Sequence, residues 1–129
     1  MTKETINFKS QAVVDGEEEK IAYEVIAESY QYDDLKVIAY DEPSLDDEKC
    51  FTKISYTENE VIVERQATYQ SKMVFSKTDK SYGIYELASS KMNFEIELIK
   101  LEVNDKEIIL QYHLVLGNDN LFNIEIKRK

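Results

Sequence analysis

The stretch Met92-Asn93-Phe94-Glu95-Ile96-Glu97-Leu98-Ile99-Lys100-Leu101-Glu102-Val103 admits two readings, and the choice between them fixes the fold class. Read as a helix capped by Ser89 or Ser90, it places Met92, Ile96, Ile99 and Val103 at helical spacing. Read as a strand, it alternates strictly through Met92, Phe94, Ile96 and Leu98, then resumes in the opposite phase at Ile99, Leu101 and Val103. Four consecutive alternations and the β-branched content favour the strand. The change of phase is what one extra residue near Leu98 produces, because a β-bulge exchanges the two faces.

The same period of two runs outward in both directions. Downstream, the hairpin signal Asn104-Asp105 leads to Ile108, Leu110, Tyr112, Leu114 and Leu116. A turn from Gly117 to Asn120 then leads to Phe122, Ile124 and Ile126. Upstream, a short strand holds Tyr82 and Ile84 beyond the polar turn from Ser76 to Lys80. Tyr69, Ser71, Met73 and Phe75 alternate before that turn, as do Val61, Val63 and Arg65 after the turn Glu58-Asn59. Cys50, Thr52, Ile54 and Tyr56 form the preceding set, and Asp41 to Glu48, with the only proline, Pro43, reads as the longest loop. Leu35, Val37 and Ala39 are in phase after the turn Asp33-Asp34. Ile21, Tyr23, Val25 and Ala27 occupy one face of a strand from about Lys20 to Tyr32. Ile6, Phe8, Ala12 and Val14 open the series and end at Asp15-Gly16, a dipeptide suited to a tight hairpin.

About ten strands joined by short turns predict an all-β chain in which sequential neighbours pair as a meander. Closure removes the sheet edges that would otherwise recruit other chains. The expectation is therefore a closed antiparallel up-and-down β-barrel, lipocalin-like in shape, spanning residues 1–129 as a single domain. Ordinary lipocalins carry a Trp near the start of the first strand, and this chain has none.

The formal net charge is −10, with the acidic residues spread along the chain. Nucleic acid and anionic membranes are disfavoured as partners. The segment from Met1 to Val14 has neither the apolar run nor the cleavage site of a signal peptide, and no stretch is apolar enough to span a bilayer. The single cysteine, Cys50, rules out an intramolecular disulfide and fits a reducing, cytoplasmic location.

An Arg before a Met-x-Phe pair and a Tyr stands here as Arg65, Met73, Phe75 and Tyr85. A late Tyr before a Gly turn and an Asn-apolar-x-Ile strand stands as Tyr112, Gly117, Asn123, Ile124 and Ile126. In these residues the chain resembles the YwiB-like family of uncharacterised small bacterial barrel proteins. It departs where the family has a Tyr-x-Thr segment and a Gly, for Tyr85-Glu86-Leu87-Ala88 and Ser89-Ser90 stand there instead. The resemblance implies a barrel with an interior cavity and brings no activity with it.

Arg65 shares the inward phase of Val61 and Val63. A buried guanidinium must be paired or hydrogen-bonded to offset its desolvation. It could anchor the carboxylate of a ligand, for which its fork of donors is suited, or it could sit at the rim or against an internal Glu. Tyr23, Tyr56, Tyr69, Tyr82 and Tyr112 are read as inward. Their hydroxyls would line a cavity's polar end, or their rings would simply fill the core.

His113, the only histidine, falls on the outer face without partners for acid-base or metal chemistry. Cys50 lacks the spacing of a redox or zinc motif. Asp41, Glu42, Asp46, Asp47 and Glu48 lack the spacing of a calcium loop and read as solvated. No phosphate loop, dinucleotide fingerprint or serine elbow is found, so no cofactor, metal or catalytic residue is expected.

The expected function is that of a non-enzymatic barrel binding a small, partly apolar, carboxylate-bearing ligand, with Arg65, Tyr56, Tyr69, Tyr82 and Tyr112 as ligand contacts. The alternative is a protein-interaction or regulatory scaffold with no small-molecule ligand, presenting an exposed apolar patch. Either would be a monomer or a homodimer, the latter through outward residues such as Ile38, Ile62 and Ile109.

Overall fold

Alternation over the whole chain gives strands, and their short turns bring each strand back against the one before it. The computed structural model describes residues 2–43 and 49–129. Ten strands form among them: β1 (Thr2–Val14), β2 (Glu17–Tyr32), β3 (Leu35–Asp41), β4 (Phe51–Tyr56), β5 (Glu60–Gln66), β6 (Gln70–Ser76), β7 (Ser81–Leu87), β8 (Ser90–Val103), β9 (Glu107–Leu114) and β10 (Asn120–Arg128). Each pairs antiparallel with its neighbours in the chain, and β10 pairs with β1 to close the barrel. The β1–β2, β3–β4, β5–β6, β7–β8 and β9–β10 connections lie at one end, termed upper; Thr2 and Arg128 lie at the lower end.

Turn chemistry sets the register as expected at Asp15-Gly16. Both residues take positive φ, 50° and 83°, the conformation of the hairpin turn whose twist matches the strands it joins. The ambiguous stretch is β8, a strand throughout. Its pairing with β9 shifts between Leu98 and Lys100, so Leu98 opposes Tyr112 while Leu101 opposes Leu110. Ile99 is the extra residue and lies 48% exposed. The bulge lets Ile96 and Leu101, on opposite phases of the sequence, both reach the core.

Two strands run in the opposite phase to that expected. In β3 the inward residues are Ile38 and Tyr40, not Leu35, Val37 and Ala39; Ile38 is only 1% exposed and so offers no surface for a dimer. The two-residue turn dictates this. Tyr32 pairs with Leu35, so inward Ser29 must oppose Ile38. In β7 the inward residues are Ser81, Gly83 and Tyr85, because Gly83 opposes Met73 on one side and Phe94 on the other. Tyr82 therefore points outward and is 41% exposed.

The core fills the barrel from its middle downward around Ile6, Ile38, Ile54, Val61, Phe75 and Leu110, all essentially without exposure. A second apolar row crosses the outer face, where Tyr30, Val37, Ser55, Ile62, Val74 and Tyr82 oppose one another in turn on β2 to β7. That row explains why β3 is apolar on both faces. Among the described residues no helix is long and apolar enough to cross a membrane.

Candidate functional site

In the upper half, aromatic and aliphatic side chains stop short of filling the interior and leave a cavity of about 200 Å³. Phe8, Tyr23, Val63, Met73, Tyr112 and Phe122 form its apolar wall. Beside it the barrel wall is thin. β2 pairs with β3 only from Glu28 to Tyr32, so from Glu17 to Ala27 its one partner among the described residues is β1. Ile21 and Tyr23 on β2, and Tyr40 and Glu42 across from them, line the cavity at that gap.

Glu42 continues the inward phase of Ile38 and Tyr40, and its backbone N–H donates to the Cys50 carbonyl at 2.8 Å. Its carboxylate meets Arg65 two-pronged, with Nε donating to Oε1 at 2.9 Å and Nη2 to Oε2 at 2.8 Å. Thr52 Oγ1 donates to the same Oε1 at 2.7 Å. Burial alone would lower the Arg65 pKa; the hydrogen bonds and charge of Glu42 outweigh it and raise the pKa. Arg65 is thus inward as expected, but its fork is already filled by a carboxylate of the same chain.

The hydroxyls of Tyr23 and Tyr40 are 2.8 Å apart. Burial is the main cause that pushes Tyr40 up to about 12, with the Glu42 charge adding and the Tyr23 hydrogen bond opposing. Tyr23 is raised further, by burial first and then by Tyr40 and Glu42. Tyr112, 4% exposed, is raised by burial alone. Its ring is stacked on Phe122 with centroids 5.2 Å apart and is tilted against Phe75 at 4.8 Å. Among the described residues no group hydrogen-bonds its hydroxyl.

The other expected contacts are dispersed. Tyr69 lies beside the pair, with the Arg65 guanidinium 5.8 Å from its ring centroid and Tyr85 stacked on it at 5.1 Å. Tyr56 is buried at the lower end, where Arg128 Nη2 donates to its hydroxyl and Arg128 Nε lies 3.1 Å from Glu4 Oε1. Those three inward residues plug the lower end, and none of them lines the cavity. Tyr82 faces outward, which removes it from any interior contact.

His113 is on the outer phase as expected, and its Nδ1 contacts the Asn120 carbonyl. Asn120 in turn accepts from Leu114 N–H at 2.7 Å and donates to its carbonyl at 2.8 Å, so the cluster fastens the β9–β10 turn. Burial raises the Cys50 thiol pKa, which leaves it a poor nucleophile. Of the acidic loop, Asp41 ends β3 and Glu42 enters the barrel; Asp46, Asp47 and Glu48 lie outside the described residues. No cluster of His, Cys, Asp and Glu among the described residues is fit to hold a metal ion.

Glu42, Tyr40 and Thr52 are the site residues that sequence reasoning passed over. The signal for them was present: Ile38, Tyr40 and Glu42 alternate, and Thr52 was already placed inward.

Comparison with known proteins agrees with this architecture. The crystal structure of the ywiB protein from Bacillus subtilis matches with a TM-score of 0.72 over 98% of this chain and 93% of that one, at 17% identity, a likeness of fold. No curated protein matches the chain. A family model described as a domain of unknown function, DUF1934, matches residues 6–127, nearly the whole of the barrel, and the chain accordingly belongs to that family of YwiB-like barrels.

Proposed function

We propose that this protein is a non-enzymatic barrel that binds one small, partly apolar ligand in the upper half of its interior. The observation that carries the reading is the cavity of about 200 Å³ itself, walled by aromatic and aliphatic side chains, onto which the Tyr112 hydroxyl opens without a hydrogen-bond partner among the described residues. A bound acceptor would pair with that hydroxyl, a neutral hydrogen bond worth about 0.5–1.5 kcal/mol net. Apolar walls with a few oriented polar groups are the usual make-up of small-molecule sites. Access is through the thin wall beside β2. The single free thiol, Cys50, suits a reducing cytoplasm as the place of action.

Native mass spectrometry of freshly purified protein, set against its denatured mass, tests the reading. A small adduct lost on denaturation is the expected result. A bare mass that stays bare after incubation with cell metabolite extract would overturn it.

A second reading, a protein-interaction scaffold without a ligand, is favoured by the outer apolar row, whose ends Tyr30 and Tyr82 are 40% and 41% exposed. It predicts that Tyr82→Glu abolishes a protein contact while leaving the cavity and the fold intact.

A further inference from the structure

Resting on the interior-binding reading, we infer that the ligand is an uncharged single-ring compound bearing a hydrogen-bond acceptor, such as an aryl carbonyl, and not a carboxylate. Three observations carry this. The first is charge. Among the described residues Arg65 is the only cation lining the cavity, and both prongs of its contact end on Glu42. The pair is internally neutral, so a ligand carboxylate would have to displace Glu42 or lie beside its charge in a half-buried site, where like charges repel strongly.

The second is hydrogen-bonding valence. Glu42 Oε1 already takes bonds from Arg65 and Thr52, and the Tyr23 and Tyr40 hydroxyls share one bond that uses one of their two protons. Besides Ser10, Gln11 and Asn123, which also line the cavity, its aromatic wall keeps two unpartnered protons, that of Tyr112 and the second one of the Tyr23–Tyr40 pair. Such a wall asks for an acceptor.

The third is size and shape. An apolar cavity of about 150 Å³ admits benzene, so one of about 200 Å³ admits one ring with a short substituent. The walls suit a ring, for Phe8 stacks on Tyr23 with centroids 4.8 Å apart, and Tyr112 stacks on Phe122.

Ligand-observed NMR titration of the full chain with acetophenone, benzoate and toluene tests the inference. Acetophenone should bind at least fivefold more tightly than either of the others. Tyr112→Phe, which keeps the ring, should weaken acetophenone about 3- to 10-fold and leave toluene unchanged, as expected for one neutral hydrogen bond. Glu42→Gln should improve benzoate binding relative to acetophenone by freeing the Arg65 charge. Benzoate binding as tightly as acetophenone to the unmodified protein, or indifference of acetophenone to Tyr112→Phe, would overturn the ligand class while leaving interior binding intact. Binding of none of the three would overturn both.

Discussion

Arg65 on β5 and Glu42 just beyond β3 form a two-pronged ion pair inside the barrel, bridged by Thr52 on the intervening strand β4. Thr52 opposes both Tyr40 and Arg65 in the ladder, so the register itself delivers Glu42 to the guanidinium. The carboxylate is the more buried partner, with 17% of its side chain exposed against 38% for Arg65. Glu42→Ala leaves the guanidinium half-buried and unpaired. It should destabilise the fold by about 1–2 kcal/mol, between the values for exposed and fully buried pairs. Urea denaturation measures this. The double variant Glu42→Ala with Arg65→Met should recover most of the loss, and no recovery would mean that the pair is not coupled.

Gly83 and Phe94 make a second prediction, since they oppose one another on β7 and β8. A Cβ on Gly83 would lie 2.1 Å from the Phe94 ring, so the ring occupies the space a side chain would take. Gly83→Ala must push the ring aside and should cost about 1–3 kcal/mol, as overpacking does. Combined with Phe94→Leu, the same substitution should be nearly neutral. A double-mutant cycle that shows simple additivity would count against this contact.

The buried phenols predict a loss of stability in alkali. An unfolded tyrosine releases its proton near pH 10, whereas Tyr40 holds its proton to about 12 and Tyr23 and Tyr112 are also raised. Above about pH 10 the unfolded chain therefore binds fewer protons than the folded one, and stability falls as pH rises. The contribution is fully present below that pH and is lost as pH climbs through the folded values. Cys50, raised by burial, adds a smaller loss of the same sign that begins lower. Urea midpoints should decline gently from about pH 9 and steeply above about pH 10, and Tyr23→Phe with Tyr40→Phe should flatten the steep part.

Of the four phenylalanines that the alternation places inward, Phe75, Phe94 and Phe122 differ in depth. Phe75 is fully buried, while Phe94 and Phe122 are only half-buried, the latter on the cavity wall. Phe75→Ala should cost about 3–5 kcal/mol, and Phe122→Ala roughly half of that because its ring already borders empty space. Equal losses in chemical denaturation would mean that the upper cavity is closed in solution.

Eight strands have the phase that their sequence suggests, including the bulged one, because one face is apolar and the other charged. β3 and β7 do not. Val37-Ile38-Ala39-Tyr40 is apolar on both faces, since Val37 joins the outer row, so period two alone cannot orient it. Only the pairing across Asp33-Asp34 decides, and it carries Glu42 inside. In β7 the inward residue at mid-strand is Gly83, which has no side chain to announce a buried face. The misplacement of Tyr82 and the omission of Glu42 both follow. The cavity's empty volume was not legible at all, since it depends on how ring shapes on seven or more strands fit together.

The β7–β8 turn carries the last prediction. Ala88 sits there with φ 54°, in the left-handed region that glycine tolerates and a Cβ disfavours by about 1–2 kcal/mol. The turn is only two residues long, because Leu87 pairs with Ser90, and its hairpin geometry demands the positive φ. Ala88→Gly relieves the strain but gives the unfolded chain more freedom to lose, an opposing term of about 0.4–1 kcal/mol. The net expectation is stabilisation of about 0.5–1 kcal/mol, read as a higher urea midpoint with an unchanged slope. The control is Glu86→Gly on the same strand, where φ is not positive; it should destabilise through backbone entropy and weakened β-propensity. If both substitutions destabilise alike, Ala88 does not hold this conformation in solution, and the turn is set by the strands and not by its own residues.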